Sequence, residues 1–194
     1  MSKGRLEAFS DGVIAIIITI MVLEMKVPEG HDLGTLAPLI PVFSSYVLSF
    51  IFVGIYWNNH HHLFHAVERI DGRVLWSNLH LLFWLSLIPF VTGWMGENHF
   101  PEPAVAVYGV VMMMAGVAYF ILTRALIRCQ RGNSALAEAI GDDRKGIISV
   151  LVYVAAVPLS FVNQWVALAL YVAVGLVWFV PDRRIERKVA AGSG

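Results

Sequence analysis

The sequence predicts an all-α membrane protein with six transmembrane helices per subunit and both termini cytoplasmic, and three observations carry that prediction. The first is composition: 58% of the 194 residues are hydrophobic and 14% are charged, where soluble domains carry about 25% charge. Too little polar surface remains to coat a globule in water. The second is patterning, since apolar runs of spanning length alternate with short polar connections. The third is charge placement. Of 14 Lys and Arg, only Lys26 falls on the side opposite the N-terminus. The other side holds Lys3, Arg5, Arg69, Arg73, Arg124, Arg128, Arg131, Arg144, Lys145, Arg183, Arg184, Arg187 and Lys188. That bias places both chain ends inside, with the plasma membrane and its lipid bilayer as the expected setting.

The first span runs from about Arg5 to Met25, and its interior from Gly12 to Leu23 carries no charge. Asp11 and Glu24 bracket that interior and stand about 20 Å apart on a helix, whereas the hydrocarbon core is about 30 Å thick. At least one carboxylate therefore lies inside the slab, where it needs protein or water beside it. The helix is expected to be central and not lipid-facing. It ends in Glu24-Met25-Lys26-Val27-Pro28 without a small-residue cleavage pattern, so it is expected to remain in the protein.

Five further spans follow: about Leu39–Phe64, Val74–Met95, Ala104–Arg124, Gly146–Val162 and Trp165–Val180. Pro89 and Pro158 lie within spans and are expected to kink them. Gly109 and Gly116, with Ala115 and Ala118, favour close helix contact in the fourth. The last two spans are joined by Asn163-Gln164 and should form a tight hairpin. The connection from about Ala125 to Lys145 contains Ser134–Glu138, a candidate interfacial turn. Residues 1–188 read as one six-helix domain and residues 189–194 as a disordered tail.

Zero formal net charge leaves no basic field for nucleic acid. The single cysteine, Cys129, excludes an intramolecular disulfide and a thiolate metal cage. His60, His61, His62 and His65 cluster in the second span, yet no carboxylate or cysteine completes a site, so no metal is expected.

Depth arithmetic then groups the polar residues. Asp11 lies about 9 Å below Arg5, His60 and His61 about 12 Å below Arg69, and Asn78 and His80 about 8 to 10 Å below Arg73. Ser10, Asp11, Asn58, His61, Asn78 and His80 thus share one depth with Trp57 and Trp76. In hydrocarbon such groups must satisfy one another. A hydrogen-bonded layer holding the first helix against the second and third is one reading; a proton relay or ion site is the other.

These residues resemble a known family. Arg5, spaced from Phe9-Ser10-Asp11-Gly12 at the start of the first of six helices, is similar to the signature of the lysosomal and bacterial potassium-channel family of transmembrane protein 175. The likeness runs on through Ile18-Thr19-Ile20-Met21-Val22-Leu23-Glu24-Met25-Lys26-Val27-Pro28, then Tyr56-Trp57 and His60-His61. It continues through Leu75-Trp76-Ser77-Asn78-Leu79-His80-Leu81-Leu82-Phe83 and Ser86-Leu87-Ile88-Pro89-Phe90, covering roughly the first half of the chain.

The resemblance implies a potassium-preferring cation channel, a homotetramer whose central pore is lined by the first helix of each subunit. It implies no cofactor beyond permeant potassium ions. It places a hydrophobic constriction at Ile16, further pore-facing positions at Ile20 and Leu23, and cation preference at Thr19. These four positions share one helical stripe, and rings of Ile and Leu gate by dewetting. Taken alone, such a stripe is far more often core packing than a pore. The Thr-Val-Gly-Tyr-Gly filter of ordinary potassium channels is absent, so selectivity is expected to be modest. A proton-coupled or cation secondary transporter using Asp11 and His80 is the alternative, although the polar groups sit away from mid-membrane. Enzymatic function is not expected: Ser10 and Asp11 point in different directions, and no His-Glu-x-x-His motif occurs.

Overall fold

A computed structural model describes residues 2–130 and 144–179, all of its regular structure helical. Helix α1 spans Lys3–Leu23 and a 3-10 segment Leu33–Leu39 leads into α2, Ile40–His65. Then come α3 Gly72–Ser86, α4 Ile88–Glu97, α5 Glu102–Cys129, α6 Arg144–Leu159 and α7 Gln164–Phe179. Among the described residues, four stretches are long and apolar enough to cross a membrane: Lys3–Leu23, Leu33–His65, Gly72–Glu97 and Glu102–Cys129. The last two helices have 16 residues each, about 24 Å of helix. The chain is an integral membrane protein, with α3 and α4 together making the third of the four long stretches and α6 and α7 as shorter apolar helices.

Local chemistry explains the breaks. The third span divides at Leu87, where Pro89 enters the first turn of α4 without an N–H to give to α3. Asp71 caps α3 by accepting from the Val74 N–H at 2.9 Å. Pro158 does more than kink its span: α6 ends one residue later, at Leu159. The turn Ser160–Asn163 follows, and the Asn163 carboxamide oxygen accepts from the N–H groups of Trp165 and Val166 at 3.0 and 3.3 Å. The hairpin between the last two spans is therefore longer than Asn163-Gln164.

The first helix is not the centre of the subunit. That place belongs to α5, which packs against α3, α4, α6 and α7. Its buried Ala104, Tyr108, Met112, Ala115, Ala118, Leu122 and Leu126 recur at helical spacing. Bracketing carboxylates show that a helix needs protein or water beside it, but not whether those lie in the same subunit. Two glycines permit close approach. A Cβ on Gly96 of α4 would come within 2.8 Å of the Val42 Cα in α2, and one on Gly109 of α5 would collide with the Tyr171 ring of α7. A Cβ on Gly116 would meet the Tyr56 hydroxyl and Val150 only at ordinary contact distances, 3.7 and 4.0 Å. Helix α1 lies at the edge, against α2, α3 and α4. Ser134–Glu138 and residues 189–194 fall outside the described residues.

Candidate functional site

Helix α1 has two unlike long faces. Leu6, Ser10, Ile14, Ile17 and Met21 are buried against the neighbouring helices. Opposite them, Arg5, Phe9, Gly12, Ile16, Thr19, Ile20 and Leu23 form a continuous exposed stripe. Exposure reaches 57% at Ile16 and 79% at Leu23, high for large apolar side chains. Large apolar side chains left bare at helical spacing form a patch that needs lipid, water-filled pore or another subunit beside it. Thr19 donates its hydroxyl proton back to the carbonyls of Ala15 and Ile16, at 3.1 and 3.0 Å. The lone pairs of that oxygen are the part left to a cation.

The buried face is held by polar bonds at its cationic end. Ser10 donates to the Leu6 carbonyl at 2.8 Å and accepts from the Asn78 amide nitrogen at 2.9 Å. The Asn78 carboxamide oxygen lies 2.8 Å from His60 Nε2, so that nitrogen carries the proton. Three helices are tied by this chain, and Ser10, Asn78 and His60 are all buried. Beside it, the Trp57 indole N–H donates to Asp11 at 3.0 Å. Asp11 itself is exposed.

The layer inferred from depth is thus narrower than expected. Asn78 belongs to it, as does Ser10. His61 is exposed and stacks on Trp57, with ring centroids 6.0 Å apart. His80 accepts from the Trp84 indole N–H at 3.0 Å within α3 and has no bond to Asp11. Asn58 is half-buried on another face of α2, and Trp76 is 75% exposed. Depth brings residues to one level but does not choose a face, and a step of one residue along a helix turns a side chain by about 100°. The missed member, His60, was legible: it follows Val53 by seven and precedes Phe64 by four, on the buried face of α2. A second knot escaped notice. Ser49 Oγ and Thr92 Oγ1 are 2.6 Å apart, and Ser49 donates to the Tyr108 hydroxyl at 3.3 Å, joining α2, α4 and α5.

At the far end of α1 the electrostatics are acidic. Lys26 lies 3.9 Å from Glu97 at the end of α4. Partial burial raises the Glu24 carboxyl above its ordinary value, and the nearby Glu97 charge adds to the rise. Among the described residues no cluster of three or more His, Cys, Asp or Glu is placed to hold a metal ion.

Residues 5–89 match the family described as endosomal/lysosomal potassium channel TMEM175. The chain is 54% identical over 189 residues to a potassium channel of Chryseobacterium sp., covering 97% of this chain and 98% of that one. It is 31% identical over 131 residues to the endosomal/lysosomal proton channel TMEM175 of Danio rerio, covering 65% of this chain and 24% of that one. Among solved structures it resembles the crystal structure of a lysosomal potassium-selective channel TMEM175 homolog from Chamaesiphon minutus. That likeness has a TM-score of 0.79 and 27% identity, over 93% of this chain and 97% of the other.

Proposed function

The chain belongs to the TMEM175 family, and from that premise we propose that it is a potassium channel whose pore is lined by α1. The relatives named above are channels and not enzymes. One observation carries the finer reading: the exposed stripe of α1, with Ile16, Thr19, Ile20 and Leu23 in line on an otherwise apolar helix. Copies of α1 around an axis would bring Ile16 into a hydrophobic ring that gates by dewetting. Ile20 and Leu23 would continue the throat, and Thr19 oxygens would offer potassium its only polar contact there. Arg5, Phe9, Ser10 and Asp11 aim the stripe, since Ser10 is bonded into the buried chain and Asp11 to Trp57. A homotetramer with cytoplasmic termini, in the plasma membrane, follows from the family resemblance and the charge bias.

The test is a bilayer recording on the purified, reconstituted protein under opposed potassium and sodium gradients. A reversal potential on the potassium side is expected; absence of conductance across voltage and pH would overturn the proposal. Proton conduction is a second reading, favoured by the name of the Danio rerio relative, and a proton gradient in the same recording reads it directly. The transporter reading loses ground, because Asp11 and His80 bond to different partners.

A further inference from the structure

Away from α1, a cavity of about 280 Å³ opens between α2, α5, α6 and α7, walled by Phe52, Val117, Phe120, Val150, Leu151 and their neighbours. Its polar side chains turn away from it. Asn59 donates to the Ile55 carbonyl at 2.8 Å, Tyr119 to the Asn59 carbonyl at 3.2 Å, and Tyr56 to the Met112 carbonyl at 3.5 Å. Ser149 donates to the Lys145 carbonyl and accepts from the Trp178 indole, both at 2.8 Å. Water needs two to four polar partners to stay in such a space, and each of these five groups spends a proton on a partner in the wall. An empty space of this size forfeits the dispersion contacts of its lining. A lining this largely apolar suits an apolar occupant.

Phe120, Ile147 and Leu151 line the cavity and are also exposed on the outer surface of the spans. Its mouth therefore faces the same medium as the spans. One end is charged: the Arg124 guanidinium sits 4.9 Å from the centre of the Phe120 ring, and exposed Arg128 follows one turn on. An apolar slot ending at arginines complements a chain that ends in a phosphate. We propose that this cavity holds one acyl chain of an anionic phospholipid, with its headgroup phosphate against Arg124. The site shares no residue with the α1 stripe and does not depend on conduction.

The experiment photolabels the intact protein in phosphatidylcholine vesicles doped with phosphatidylglycerol carrying a mid-chain diazirine, and maps the labels by mass spectrometry. Labels concentrated on 116–120 and 147–151, and sparse at the equally lipid-exposed Leu176, are expected. Even labelling of all exposed apolar residues would overturn the site. Gly116→Leu, whose Cβ would meet Tyr56 and Val150 only at ordinary contact distances of 3.7 and 4.0 Å, is expected to fill the cavity and lose the label at 147–151, with Leu176 and the melting temperature unchanged. Val150→Phe is the second filling variant, used should Gly116→Leu not elute as folded protein; labelling unchanged in the folded filling variant would overturn the proposal. Arg124→Gln should abolish the preference for the phosphatidylglycerol probe over a phosphatidylcholine probe of the same chain. Equal labelling by both probes in the wild type would overturn the assignment of the headgroup.

Discussion

At the residue scale, Asn78 is the side chain whose removal costs most for its size. It is fully buried, and its two ends hold Ser10 of α1 and His60 of α2 at once. Asn78→Leu orphans the His60 Nε2–H in a medium that offers no water, at about 1–3 kcal/mol, and takes from Ser10 the bond it accepts, leaving it only its own bond to the Leu6 carbonyl. The melting temperature in detergent should fall further than for His80→Ala, whose hydrogen-bond partner, Trp84, is a half-buried residue on its own helix. Equal losses would show that the three-helix chain is not what seats α1. Ile16 behaves oppositely. It is 57% exposed and holds little of the subunit together, so Ile16→Asn should leave folding near wild type. If Ile16 rings form the constriction, that amide wets it and single-channel current rises. Unchanged current in a stable Ile16→Asn protein would move the gate to another position.

At the scale of elements, the two ends of α1 meet their neighbours through different chemistry. Its cationic end is pinned by the buried polar chain. Its other end meets α4, where Glu24 lies near Glu97 and a Cβ on Gly93 would come within 3.2 Å of the Glu24 carboxylate. The Glu24 carboxyl is raised above its unfolded value of 4.5, so the folded state binds a proton more tightly than the unfolded chain does. That stabilisation is present in full below the unfolded value and is lost as pH rises through the folded one. At neutral pH the ionised carboxylate opposes the contact between α1 and α4. Glu24→Gln should therefore exceed wild type in melting temperature at neutral pH, with the gap closing on acidification through the window just above 4.5. A gap independent of pH would assign the effect to something other than this carboxyl. The boundaries of these elements were legible where a proline or an Asx cap sets them, as at Pro89. The end of α6 was less so. A proline near the end of a helix either bends the chain or stops it, and the Asn163 cap of the next helix decided for a stop.

For the whole molecule, hydropathy and charge carried the architecture further than they carried the site. Six apolar helical stretches follow from run lengths and turn residues, because a helix satisfies its own backbone where no water can. Which helix is central did not follow, since the subunit's middle belongs to α5 while α1 keeps a bare side. Burial against a second subunit leaves no separate mark in one chain's sequence. The stripe Ile16, Thr19, Ile20 and Leu23 came from the family resemblance, its spacing fitting one helical face as core packing would, and only its exposure distinguishes it from core. Two kinds of bare face now compete for water: the α1 stripe, and the α3 face carrying Trp76 and Phe83, 75% and 55% exposed. Aromatic rings such as Trp76 suit a lipid or protein contact, whereas an aliphatic stripe with one hydroxyl suits a throat. With Cys129 replaced by Ser, single cysteines at Ile20 and Leu23 should react with a membrane-impermeant thiosulfonate and block the current. Cysteines at Trp76 and Phe83 should leave it untouched. Block from the α3 positions, with Ile20 and Leu23 silent, would put the conduction path outside the α1 ring and return the stripe to packing.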